Sequence, residues 1–218
     1  ALGPELSDED VPAILGCGRP NVIIDTHRPF VPGNFVDMDN DQLVYRALEY
    51  LMQQGFQRIG MVGSYSSVMN FKLRSDAFLR GMAAHGLEVE PGNILSVAST
   101  IDGAYADSVA QLTKAAQPAD AYLCANDIIA FGFIRALRER GLSVPADTSV
   151  IGIDNLPMAT MFDPPLTSLD VPKQKIGAMA IRILDDLIVG GPDQPPVKVL
   201  VAGDLVLRES VRTKTSGA

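Results

Sequence analysis

Residues 121–154, AYLCANDIIAFGFIRALRERGLSVPADTSVIGID, decide the fold class. Ala121–Cys124 is a short apolar run of strand length. The polar pair Asn126-Asp127 then opens a segment to Arg140 in which Ala130, Phe131, Ile134 and Leu137 recur at helical spacing. Gly141 supplies the stop. Ser149–Asp154 is a second apolar run, again bounded by polar residues. A strand, a helix of this length and another strand predict a right-handed βαβ unit with parallel strands.

The same alternation extends outward in both directions. Val22–Asp25, Arg58–Gly63, Ile94–Ala98 and Val197–Val201 read as further buried strands. From Gln42 to Gln54, Val44, Ala47, Leu48, Leu51 and Met52 share one helical face, with Asp39 or Asn40 as cap and Gly55 as stop. From Gln174 to Val189, Ile176, Ala180, Ile183, Leu184 and Leu187 do the same before Gly190-Gly191. The class is α/β with largely parallel sheets. Only Gly190–Pro196 and the polar C-terminal tail read as linkers.

The composition fits a globular α/β chain. The 218 residues suffice for one large domain or two small lobes, and 47% apolar against 20% charged residues is ordinary globular material. Ile128–Ile134 is too short to span a bilayer, and no signal-peptide pattern opens the chain. Cys17 and Cys124 are far apart and lack metal spacing, which predicts reduced thiols and a cytoplasmic setting. The net charge of −8 argues against these residues gripping DNA phosphates themselves.

In open parallel sheets, ligands sit at the carboxyl ends of strands. The places to inspect are therefore Asp25, a loop over Ser64–Arg74, Ser99–Gly103, Asn126-Asp127 and Asp154-Asn155. They offer carboxylates, amides and a guanidinium, as expected of a site for a small polar molecule. Enzyme motifs fail. Gly16-Cys-Gly18 precedes its strand and lacks the third glycine of a dinucleotide fingerprint. There is no phosphate-binding P-loop and no GxSxG elbow. With only His27 and His85, no HExxH zinc motif is possible; His27, two residues beyond Asp25, reads equally as a cleft-lining or a solvated loop residue. Neither a cofactor nor a catalytic set is predicted.

At the level of motifs the chain resembles the lactose/galactose repressor (LacI/GalR) family. Asp39-Asn40, Tyr50-Leu51 and Gly55-Phe-Gln-Arg-Ile59 look like one family stretch. Ala125-Asn-Asp127 with Ala130-Phe-Gly132 is similar to "ANDxxAxG". Gly141–Asp147 leading into Ser149–Asp154 resembles "GLxVPxDxSVxGxD". Pro164-Pro-Leu-Thr167, Gly177, Ala180, and Leu205-Val-Leu-Arg208 with Ser210 complete the series in order. One departure is Leu43, where the family has a small residue.

The resemblance implies a periplasmic-binding-protein-like core of two Rossmann-like lobes with ligand between them. One lobe would hold 1–38 and 171–200 and be incomplete; the other would hold 39–170 and 201–218. The DNA-reading headpiece would lie outside this sequence. It further implies a homodimer that senses a sugar-like effector and acts on operator DNA, without membrane or enzymatic function. Asp25, Arg74, Asn126 and Asp154 match family ligand positions; Asn70, four before Arg74, would join them if that segment is helical. Carboxylates accept from adjacent hydroxyls, while Arg and Asn supply fixed donors, which suits a polyol. Asn126 and Asp154 are equally good helix caps. Phe71, Tyr65 and Phe162 are the aromatics available to stack on a sugar. A secreted solute-binding protein is the alternative reading.

Overall fold

A computed structural model describes residues 1–3, 6–7, 9–26, 28, 30–113, 117–191 and 194–213. His27, part of Gly190–Pro196 and most of the C-terminal tail lie outside the described residues. In chain order the elements are α1 (Asp10–Leu15), β1 (Ile23–Ile24), β2 (Phe35–Met38), α2 (Asn40–Gln53), β3 (Ile59–Ser64), α3 (Met69–Ala84), β4 (Ile94–Val97), α4 (Ile101–Leu112) and β5 (Ala121–Cys124). They continue with α5 (Asp127–Glu139), β6 (Ser149–Ile153), α6 (Met158–Met161), β7 (Thr167–Asp170), α7 (Lys173–Gly190), β8 (Lys198–Val201) and β9 (Asp204–Val206).

The chain divides into two compact units. The first comprises Ala1–Asp39, Ser67–Asn70 and Pro172–Gly203; the second comprises Asn40–Ser66, Phe71–Val171 and Asp204–Ala218. In the first, β1, β2 and β8 form a parallel sheet in that order. Its small core gathers Val11, Ile23 and Phe35 with Leu6, Ile14, Leu15 and Val31. Helix α7 packs on β1 and β2 and buries Ile176, Ala180 and Ile183, the face that its periodicity selects.

The second unit holds a six-stranded sheet in the order β4-β3-β5-β6-β7-β9. Every pairing is parallel except β7 with β9. Strands β5 and β6 are buried along their whole length, so they read as continuous apolar runs without alternation. The chain leaves β3 for β4 on one side and returns to β5 on the other. The order thus reverses between β3 and β5, the place where such sheets take ligands at their carboxyl ends.

Several expectations need correction. Ser64–Arg74 is not a loop throughout: α3 begins at Met69, so Arg74 sits in a helix, which also gives Asn70 its helical setting. Strands β2, β7 and β9 and helix α4 were not anticipated. These strands are only three or four residues long, and Asp37, Asp170 and Asp204 within them mask the β-pattern. Ser99–Gly103 is largely a helix start, with Thr100 accepting from the Gly103 amide.

Candidate functional site

The predicted residues fall in both units. In the first, Asp25 follows β1 with φ 62°, and Asn70 donates from Nδ2 to its backbone oxygen at 3.2 Å and to its Oδ1 at 3.0 Å. These two side chains are brought together. The Asp25 amide donates to Val36 O, which fixes the turn on β2.

In the second unit, Arg74 and Asp154 meet at the carboxyl ends of β5 and β6. Arg74 is only 3% exposed. Its Nε donates to Asn40 Oδ1 at 2.9 Å and its Nη1 to the Ala125 carbonyl at 2.6 Å. Its Nη2 lies 3.5 Å from Asp154 Oδ1. The Asp154 side chain remains 25% exposed, so the pair presents a carboxylate toward solvent above a buried, pre-oriented guanidinium. That geometry suits recognition of hydroxyls: the carboxylate accepts and the rigid fork donates.

Beneath it lies a network that the sequence reading missed. Asp127, fully buried at the first turn of α5, accepts from Ser168 Oγ at 2.6 Å and from the Leu156 amide at 2.7 Å. Burial pushes its carboxyl up to about 6, aided by the charge of Asp154; the Ser168 and Leu156 bonds and Arg208 oppose the shift. Asp154 and Asn155 both have positive φ, 109° and 46°. Such backbone is uncommon outside glycine, though Asp and Asn adopt it most readily, and the supporting bonds hold it in place. Asp127 and Asn155 stand at two of the strand ends singled out in sequence, as the second members of the Asn126-Asp127 and Asp154-Asn155 pairs. Ser168 and Arg208 stand 41 and 53 residues from their partners Asp127 and Asn155, beyond any local pattern.

Asn126 takes the capping role that its residue type and position allow, a role that engages only its side-chain oxygen. Its Oδ1 accepts from the Ile129 amide at 2.9 Å, capping α5. Asn126→Ala is expected to cost about 1 kcal/mol in chemical denaturation without any ligand present. A stability unchanged within error would remove the cap from the account. Of the three aromatics, Phe71 is 7% exposed and Phe162 packs on Phe131 at 4.7 Å between centroids, while Tyr65 is 66% exposed. Of these, Tyr65 is the most exposed. Among the described residues, no group of three or more His, Cys, Asp or Glu is placed to hold a metal. No described helix is long and apolar enough to cross a membrane.

Comparison with known proteins agrees with this architecture. The model of the periplasmic binding protein-like domain family matches residues 48–211. The HTH-type transcriptional repressor PurR of Glaesserella parasuis serovar 5 is 36% identical over 173 residues, covering 77% of this chain and 51% of the repressor. The HTH-type transcriptional repressor CytR of Escherichia coli K12 is 30% identical over 171 residues, 78% of this chain and 50% of its own length. Among solved structures, a complex of the transcriptional regulator CelR with cellobiose superposes with a TM-score of 0.85 at 28% identity, covering 96% of this chain and 64% of that one. The chain spans about half the length of the curated repressors it matches. With the family model matched across β3 to β9 and repressors aligned over three quarters of its residues, the chain belongs to the LacI family of transcriptional regulators and carries its periplasmic-binding-protein-like domain.

Proposed function

We propose that this chain is the effector-sensing core of a cytoplasmic transcriptional repressor. The effector is a small polar metabolite of the sugar or polyol class. Arg74 and Asp154 bind it, and Asp25, Asn70 and Asn126 are further ligand-binding residues. The observation that carries this reading is the Arg74 guanidinium, buried and oriented by Asn40 and Ala125, with a partly exposed carboxylate beside it. The likeness to a regulator solved with cellobiose supports the ligand class. Binding would shift the balance of two conformations only by its differential affinity for them. In the intact protein, a homodimer, that shift would change how DNA-binding segments meet operator half-sites.

The test is a thermal-shift screen against cellobiose, monosaccharides, polyols, sugar acids, purines and nucleosides. A ligand at one hundred times its Kd stabilises by about 2.7 kcal/mol. For a chain of this size, that raises Tm by roughly 5–10 °C. The rise is expected to vanish in Asp154→Ala and in Arg74→Ala, each compared with its own ligand-free Tm. A hit that survives both substitutions would place the site elsewhere, and a purine-only profile would overturn the sugar class.

A further inference from the structure

We infer that Asn155 is a positioning residue that ties the Asp154 turn to the strand ends where the chain leaves the second unit. The inference rests on the proposed role of Asp154. Its own basis is the environment of the next residue along. The side-chain amide of Asn155 is engaged at both ends. Nδ2 donates to Asp170 Oδ1 at 2.9 Å, while Oδ1 accepts from Arg208 Nη2 at 2.6 Å. Its backbone amide donates to Ser168 Oγ at 3.1 Å. Asp170 is the last residue of β7, two before the junction at Val171/Pro172, and it lies in register with Asp204, the first residue after the junction at Gly203/Asp204.

Arg208 is itself anchored. Its Nη1 donates to Leu166 O at 2.7 Å and its amide to Thr167 Oγ1 at 2.9 Å, so it grips β7 from its start. The Asp154 amide donates to Leu169 O at 2.9 Å, and the Leu156 amide is held by Asp127. The turn is therefore fastened on both sides of Asp154. Of these fastenings, Asn155 Nδ2 is the one that reaches the end of β7, two residues before Pro172. Displacement of the Asp154 carboxylate by a ligand would pull on Asp170 through a single intervening side chain. Such a link needs a short polar residue that tolerates left-handed backbone and carries one donor and one acceptor, and asparagine meets all three requirements.

The test uses amide hydrogen exchange on the ligand-free chain, with two variants. Asn155→Gly keeps the left-handed backbone and removes both side-chain bonds. Asn155→Asp keeps an acceptor for Arg208 and replaces the donor to Asp170 with a second carboxylate, which cannot make that bond. Both are expected to raise exchange at least tenfold at Asp154, across 168–171 and across 204–206, with β3 and β5 unchanged. An Asn155→Gly protein that exchanges like the parent would mean that only the backbone conformation matters, and the inference fails. Acceleration spread evenly over the sheet in both variants also overturns it, since a merely structural residue acts that way. Should Asn155→Gly fail to fold, Asn155→Asp decides alone. Because no effector is present, a negative result here leaves the effector reading standing. A positive result alongside a failed ligand screen condemns that reading and not this one.

Discussion

Gly132→Ala is expected to destabilise the second unit by about 3 kcal/mol, the upper end of the usual cost of overpacking. Gly132 lies mid-way along α5, where it meets α4. A Cβ built there would sit 2.4 Å from the Ile101 carbonyl oxygen, 2.8 Å from Ala104 Cβ and 2.8 Å from the Tyr105 amide nitrogen. Two of these three are backbone atoms, so no rotamer change relieves the collision and the helices must separate. Separation would loosen the packing around Ala104, which is fully buried beside Gly132. Gly177 in α7 is the matched control. A Cβ there meets nothing within 4 Å, and alanine relieves the helical penalty of glycine. Gly177→Ala should therefore be neutral or stabilising by up to about 1 kcal/mol. Denaturant titrations of both variants check the pair; a Gly132→Ala cost within about 0.5 kcal/mol of zero would show that the two helices are not in close contact.

The second large effect concerns pH. Asp127 has its carboxyl raised from 3.8 to about 6, chiefly by burial. A raised acid binds its proton more tightly in the folded than in the unfolded chain. Its contribution to stability is therefore fully present below pH ~4 and is lost as pH rises through about 6. At about 1.4 kcal/mol per unit, the loss amounts to about 3 kcal/mol. Other carboxylates titrate over the same range, so the quantity to measure is the difference between the parent chain and Asp127→Asn. Asparagine is uncharged, its oxygen still accepts from Leu156, and its amide turns the Ser168 hydroxyl into an acceptor. Relative to Asp127→Asn, the parent should lose about 3 kcal/mol between pH 4 and 7 and then level off. A difference that is flat with pH would mean that Asp127 titrates normally and that its site is wetter than its burial indicates. The same titration bears on the proposed effector site, since the Asp127 carboxylate holds the amide two residues beyond Asp154.

Much of the candidate site's geometry lay outside what local patterns report. Asp25, Asn70, Arg74 and Asp154 carried recognisable strand ends, helical spacing or motif positions. Each lies within a few residues of an apolar run whose period locates it. Asn126 sat in the same kind of motif, yet its side-chain oxygen goes to the Ile129 amide, a use that residue type and position equally allow. The cap engages the oxygen and not the amide group, so it leaves the ligand-binding expectation for Asn126 untouched. Asn40 read as a helix cap, but its oxygen serves Arg74, 34 residues away.

Sequence alone determined the α/β class, the helical faces of α2, α5 and α7, the central strands β3, β5 and β6, and the family. All of these rest on periodicity or on ordered motifs, which are one-dimensional signals. Tertiary structure alone decided the short strands β2, β7 and β9. Each gains its hydrogen bonds from a neighbour distant in sequence, and acidic residues at or near the strand ends hide the pattern. It also decided the Asp127–Ser168–Asn155–Arg208–Asp170 network. Burial in the folded second unit raises one member's carboxyl and makes each unsatisfied donor costly, so their pairing is enforced only once β6, β7 and β9 lie side by side.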